Sequence, residues 1–385
     1  MKNAKILNML ETSHMAKEIS SQPKLWNETY ENVLARKAQI TDFLNEIYQI
    51  KNIQIILTGA GTSAFIGEIL QHSFNKNTGI PIKAIPTTDL VTHPRDFFQK
   101  TIPTLLISFA RSGDSPESLA TYELAEKLHD TIYHLIITCN PEGKLAKVAL
   151  NKKNTFIFLM PEGTNDKALA MTSSFTSMTL AGLLISDIKN IEKNEQDVKK
   201  LIEFGKIILD KFGKELSEVA EMPFKRIVFL GSGPLKGTAK ESHLKVLELT
   251  DGQINCQYDS FLGFRHGPKA VIDKSTLLIY LFSQDPYVYK YEVDLVNSIN
   301  SNEHFLFSIG IGQCLNQPGN LSLNSSIDLC SGPNKIPDDL FAICSVIPAQ
   351  ILGFYKSIAL GLMPDSPSQN GGIHRIVQGV TIYPY

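Results

Sequence analysis

IQIILTGAGTSAFIGE, running from Ile53 to Glu68, decides the fold. Its first half is a short run of mostly β-branched apolar residues, polar only at Gln54 before the closing Thr58, which is the pattern of a strand buried on both faces. Gly59 and Gly61 break the run, and a helical stretch follows, so the segment reads strand, tight turn, helix. The same grammar recurs downstream in IKAIPTTD from Ile82, TLLISFARSGDS from Thr104, YHLIITCN from Tyr133 and TFIFLMPEG from Thr155. Fully apolar strands alternating with helices imply a parallel sheet covered by helices on both faces.

The second half repeats the first at an almost constant offset. Gly59 in ILTGAGTS matches Gly231 in FLGSGPLK, and Ser108 in LLISFARS matches Ser283 in LIYLFSQD, slightly further along. YHLIITCN pairs with HFLFSIGI, TFIFLMPE with SIDLCSGP, and ALAMTSSFTSMTLAGLL with DDLFAICSVIPAQILGF. Five elements in one order indicate a duplicated α/β unit. The expected organisation is a helical N-terminal segment over 1–50, a first α/β domain over 51–200 and a second over 201–385. The boundary is expected in the charged helical stretch Ser186 to Phe212. Within the lead-in, SSQP at Ser20 to Pro23 is expected to interrupt the helix.

Composition narrows the partners. The chain has 385 residues, 43% hydrophobic and 20% charged, which excludes disorder as the main state. Thirty-seven basic against 39 acidic residues leave a net charge of −2, so no bulk field draws the protein to nucleic acid or an anionic membrane. A small molecule is the expected partner. The five cysteines, Cys139, Cys256, Cys314, Cys330 and Cys344, are odd in number and widely spaced. This spacing predicts neither a disulfide framework nor a zinc knuckle and fits a reducing cytoplasm. The apolar stretch from Ala342 to Phe354, with Pro348 and Gln350 inside, falls short of the ~20 residues of a membrane span. MKNAKILNMLETSH has too short an apolar run for a signal peptide.

Two turns carry the first chemical signal. GAGTS offers backbone N–H groups and the Thr62 and Ser63 hydroxyls at a helix start, where an anion is favoured. Gly59, Gly61 and Ala64 formally match a dinucleotide fingerprint, but Thr87 and Thr88 stand where its ribose-binding acid belongs. SFARSGDSPES, Ser108 to Ser118, adds hydroxyls at Ser108, Ser112, Ser115 and Ser118 and a guanidinium at Arg111. Hydroxyls and backbone N–H groups with one Arg make a phosphate cup, although Ser and Asp could also serve only as helix caps. Two such loops at the carboxyl edges of successive strands favour the cup.

A second signal lies on the helix TAKESHLKVLEL, where Glu241, Lys245 and Glu248 share one face at i, i+4 and i+7. By itself this is the pattern of a solvated salt-bridge stripe. Downstream, His266 sits in Arg265-His266-Gly267-Pro268, a turn that aims a side chain outward. The remaining histidines show no paired spacing for a metal.

GAGTSAFIGE, ARSGDSPES, HLKVLELTDGQ and FRHGPKAVID resemble the sugar isomerase (SIS) domains of the glucosamine-6-phosphate synthase superfamily. More narrowly, HMAKEISSQPKLW, the FRHGPK segment and RIVQGVTIY resemble the bacterial tagatose-6-phosphate ketose/aldose isomerase family, also described as galactosamine-6-phosphate deaminases. The resemblance implies two tandem SIS domains. It places the 6-phosphate on Gly61, Thr62 and Ser63 and on Ser112, Gly113, Asp114 and Ser115, beside the Ser108 and Arg111 of the cup, with Gln378 also at the substrate. It makes Glu248 the catalytic carboxylate, with Lys245 beside it and His266 as the ring-opening group. The Glu-to-His spacing is 18, two longer than in the synthase. Where the synthase carries a C-terminal lysine, this chain reads Val377, Gln378, Gly379, Val380, Thr381, a departure from its amide-transferring chemistry.

The implied reaction is acid/base proton transfer that turns galactosamine 6-phosphate into tagatose 6-phosphate and ammonia, with no metal and no other cofactor. A homodimer or higher homo-oligomer in the cytoplasm is implied as well, without nucleic acid or membrane as a partner. The alternatives are an aldose/ketose isomerase acting on a nitrogen-free sugar phosphate, and a non-catalytic sugar-phosphate sensor. A sensor would have lost Glu248 or His266 or gained a DNA-binding module.

Overall fold

The computed structural model describes residues 11–302, 304–315, 321–330 and 335–385. The first ten residues, on which the reading of the N-terminus rests, lie outside the described residues. Two five-stranded parallel sheets form, in the order β2-β1-β3-β4-β5 and β10-β9-β8-β6-β7. The first comprises β1 Gln54–Thr58, β2 Ile82–Ala84, β3 Thr104–Ala110, β4 Ile132–Thr138 and β5 Thr155–Leu159. The second comprises β6 Arg226–Gly231, β7 Asn255–Asp259, β8 Thr276–Leu281, β9 Phe307–Gly312 and β10 Ser325–Asp328. Counted from the second strand of each half, the two orders are the same, as expected for tandem α/β domains built from one duplicated unit.

The pairing corrects one match. Thr58 of β1 lies opposite Ser108 of β3, and Leu230 of β6 lies opposite Tyr280 of β8. The step along the chain is the same in both pairs, so the offset that relates Gly59 to Gly231 holds through the third strand. The longer offset that would relate Ser108 to Ser283 does not hold, and Ser283 corresponds to Arg111 instead. The sequence match was misled by serine, a side chain that fits many positions, whereas hydrogen-bond register admits only one.

The chain forms two compact units. One holds the first sheet and comprises Lys24–Lys167, Met171–Val198 and Ile373–Tyr385; the other holds the second sheet and comprises the residues up to Pro23, Ala168–Ala170 and Lys199–Gly372. In the first, Ile56, Leu106 and Ile132 of the strands pack with Leu90, Leu124 and Ala125 of the covering helices. In the second, Val228, Leu278 and Tyr280 pack with Phe261, Phe264, Leu295 and Ile299.

Three further expectations are corrected. SSQP does not interrupt the lead-in, because a single helix runs His14–Ala35 with Pro23 inside. Proline supplies no N–H for the Ile19 carbonyl, and the buried Gln22 side chain donates to that carbonyl instead at 3.0 Å. Cys314 and Cys330 form a disulfide, with Cα atoms 4.7 Å apart. Gly312 of β9 pairs with Asp328 of β10, so each cysteine stands just beyond one register pair. Their sequence separation of 16 is the register offset of the two strands, which cysteine spacing alone does not reveal. Finally, Asp338–Ala359 spans 22 residues, and its most apolar 18-residue window has mean hydropathy 1.4, so the stretch is long and apolar enough to cross a membrane by length and composition. Most of it is buried inside the fold, 89% of its most apolar window, which explains its composition as that of core helices.

Candidate functional site

The residues predicted to form the cup lie in the first-sheet unit. The Thr58–Ser108 register puts the carboxyl ends of β1 and β3 side by side, so the turns that follow them are neighbours. After β1, Gly61 takes φ 55°, a left-handed conformation that suits glycine, and the helix Thr62–Thr78 begins. Thr62 and Ser63 are its first residues, and both are buried. Leading off β3, Ser108, Arg111 and Ser112 are buried as well. Gly113, at φ 67°, turns the chain, and the Ser112 Oγ accepts from the Asp114 N–H at 3.2 Å. Asn140 Nδ2 donates to the Ser112 carbonyl at 2.9 Å. Gly143 approaches that carbonyl so closely that an added Cβ would lie 2.3 Å from it. The loop is therefore braced by its backbone carbonyls. Ser115 precedes the helix Pro116–Leu128 yet makes no side-chain capping bond, so helix capping does not account for its hydroxyl.

Arg111 is tied to the C-terminal segment. Its Nη2 donates to the Arg375 carbonyl at 2.5 Å. The Arg375 guanidinium in turn donates to Asn165 Oδ1 at 2.7 Å and to the Asp166 carbonyl at 2.8 Å. Asp166, buried, accepts from the N–H groups of Thr172, Ser173 and Ser174 and holds the start of the helix Ser173–Ser186. Sequence reasoning passed over Arg375 and Asp166, since an Arg in a polar tail and an Asp in a loop carry no periodic signal. Gln378 is exposed.

In the second-sheet unit, the helix Pro234–Leu249 presents Glu241, Lys245 and Glu248 on one face. This face, which by its spacing alone reads as a solvated stripe, is instead largely buried. Lys245 and Glu241 are fully buried, and the Glu248 side chain is 22% exposed. Lys245 Nζ lies 2.6 Å from Glu248 Oε2 and 3.3 Å from Glu241 Oε1. Burial alone would lower the Lys245 pKa, but the two carboxylates outweigh it and hold the ammonium above its ordinary value. A cation fixed between a buried and a half-open carboxylate orients the open one toward whatever reaches it. Glu241, named on the same face, thus joins the site as the inner carboxylate. His266 follows the short helix Phe261–Phe264 and is exposed; its backbone N–H donates to the Gly263 carbonyl at 2.9 Å. The structure brings Lys245 and Glu248 into contact and leaves the His266 side chain open to solvent. Among the described residues, no group of three His, Cys, Asp or Glu side chains could hold a metal ion.

Residues 46–185 match the SIS domain family. Over 96% of its length the chain is 40% identical to a D-galactosamine-6-phosphate deaminase AgaS from a Shewanella strain, 92% of which is covered. It is also similar to the structure of tagatose-6-phosphate ketose/aldose isomerase from Escherichia coli, with TM-score 0.89, 39% identity and 97% of each chain covered. The C-terminal domain of glucosamine-fructose-6-phosphate aminotransferase from Francisella tularensis shares the fold at TM-score 0.77 and 20% identity, over 92% of this chain and 98% of that one.

Proposed function

Because the chain belongs to the D-galactosamine-6-phosphate deaminase AgaS family, we propose that it removes the amino group of galactosamine 6-phosphate while isomerising the sugar to tagatose 6-phosphate. The observation that carries this reading is the Lys245–Glu248 contact of 2.6 Å, which keeps a carboxylate oriented, partly open and backed by a buried cation.

The residue roles form one acid/base sequence. Thr62, Ser63, Ser108, Arg111, Ser112 and Ser115 hold the 6-phosphate, with the turn at Gly61 bringing backbone N–H groups close; the grip on the phosphate positions the reacting carbons. Gln378 contacts the sugar. His266 donates a proton to the ring oxygen as the ring opens to the aldehyde. Glu248 takes the proton from carbon 2, forming an enolamine, and returns a proton to carbon 1. The product is a ketimine, which water hydrolyses to the ketose and ammonia. Lys245 orients Glu248 and polarises the neighbouring hydroxyl. Nitrogen leaves as ammonia, water supplies the ketose oxygen, and no electrons pass to another molecule.

Within the same reading, the protein works as a homodimer or higher homo-oligomer in the cytoplasm. Charged sugar phosphates do not cross membranes, and exposed His266 stands where a second copy could reach it. Ammonia release tests the reaction. The purified chain is expected to release ammonia faster from galactosamine 6-phosphate than from glucosamine 6-phosphate, and Glu248→Gln to abolish release. No release from either sugar would reject deamination and favour the nitrogen-free isomerase.

A further inference from the structure

The second copy of the phosphate-cup architecture has become a different kind of cavity. Its first turn keeps the backbone: Gly61 and Gly233 share φ 55° and ψ −127°. The side chains have changed. Pro234 and Leu235 stand for Thr62 and Ser63, and Ser283 stands for Arg111. The loop after the third strand is also shorter. Only Ser283, Gln284 and Asp285 precede the helix that begins at Pro286, whereas Arg111 through Ser115 precede the one that begins at Pro116. Its backbone donors are already taken. Ser283 N–H donates to Glu292 Oε2 at 2.9 Å and Gln284 N–H to Asp338 Oδ1 at 3.0 Å.

A cavity of about 390 Å³ remains at this edge, lined chiefly by Ser232, Gly233, Ser260, Phe261, Tyr287 and Tyr291, with no lysine, arginine or histidine in its wall. Glu292 is fully buried beside Ser232 and accepts from the Ser283 N–H on its Oε2. Burial raises its pKa to about 7, with Asp338 and Asp285 adding to the rise and hydrogen bonds from Ser232 and Ser283 opposing it. A phosphate would meet occupied donors and a carboxyl here, so this position does not repeat the anion site. Tyr287 and Tyr291 are 68% and 41% exposed, with rings 5.2 Å apart and hydroxyls 3.0 Å apart. Such a pair offers an apolar face for the C–H side of a sugar ring and polar tips for its hydroxyls.

We propose that this cavity binds an unphosphorylated hexosamine, its ring against Tyr287 and Tyr291 and its hydroxyls on Ser232 and Ser260. The choice of an amino sugar rests on the proposed function; the exclusion of phosphate does not. The test titrates the full chain with galactosamine and, separately, inorganic phosphate, followed by saturation-transfer NMR and calorimetry. Galactosamine is expected to bind saturably, unchanged in Arg111→Ala and at least tenfold more weakly in Tyr287→Ala and Tyr291→Ala. These tyrosines are exposed, so both variants are expected to fold. Phosphate is expected to weaken in Arg111→Ala alone. Galactosamine binding that vanishes in Arg111→Ala, or that ignores both tyrosine variants, overturns the proposal. Galactosamine binding at the tyrosines in a protein that releases no ammonia from galactosamine 6-phosphate would reject the deaminase reading and leave this site standing.

Discussion

The loop after β3 and the loop after β8 occupy the same place in two copies of one fold, and they have diverged in opposite directions. The first carries Arg111, whose Nη2 donates to the Arg375 carbonyl, and Ser112, whose carbonyl accepts from Asn140 Nδ2. The second has Ser283 in place of the arginine and spends its backbone donors on Glu292 and Asp338. The turn geometry at Gly61 and Gly233 is thus shared, while in the second loop the protein's own carboxyl groups take the backbone donors. The second copy instead concentrates buried charge on the helix Pro234–Leu249, where Glu241, Lys245 and Glu248 lie.

If that concentration of charge is what distinguishes the second copy, removing its centre should be costly. Lys245→Met leaves the buried Glu241 carboxylate without its cation, and breaking a buried pair in this way costs about 3–5 kcal/mol. Denaturant unfolding should show a loss of that size. A loss below about 1 kcal/mol would mean that the charges are solvated, as in an ordinary surface stripe.

A smaller effect tests the internal carboxyl of the second loop. Glu292 holds its proton more tightly folded, up to about pH 7, than unfolded, where an ordinary glutamate pKa applies. Its contribution to stability is therefore full below the ordinary carboxylate pKa, falls as the pH rises toward 7 and levels off above it. The fall amounts to up to about 3 kcal/mol at roughly 1.4 kcal/mol per unit. Melting curves across that window should flatten in Glu292→Gln relative to the unaltered chain. An unchanged slope would show that this carboxyl is ionised at low pH and that the second loop does accommodate charge.

Much of this architecture was legible in the chain because the buried strands read as uninterrupted apolar runs and the duplicated glycine turn fixed the repeat. The lapses occurred where meaning depends on register or tertiary contact. Ser108 and Ser283 looked equivalent because both are serines, and only the strand pairing assigns Ser283 to Arg111. Cys314 and Cys330 meet because two parallel neighbours bring them level, which their spacing does not announce. Pro23 reads as a break until Gln22 is seen supplying the missing donor. At the site, helical periodicity placed Glu241, Lys245 and Glu248 on one face but not their burial, and nothing periodic pointed to Arg375 holding Arg111 from a distant tail.

The proposed division between an anion-gripping copy and a proton-moving copy is tested most directly by the steady-state kinetics of ammonia release from galactosamine 6-phosphate in Arg111→Ala and Glu248→Gln, measured side by side. A charge-assisted hydrogen bond of about 1.5–3 kcal/mol corresponds to roughly 10- to 100-fold, so Arg111→Ala should lower kcat/KM by that factor, chiefly through KM, with the smaller fall in kcat that weaker positioning brings. Glu248→Gln should lower kcat by about 100- to 10,000-fold with KM little changed. A collapse of kcat in Arg111→Ala with KM unmoved, or near-normal turnover in Glu248→Gln, would contradict the assignment of the two roles to the two copies.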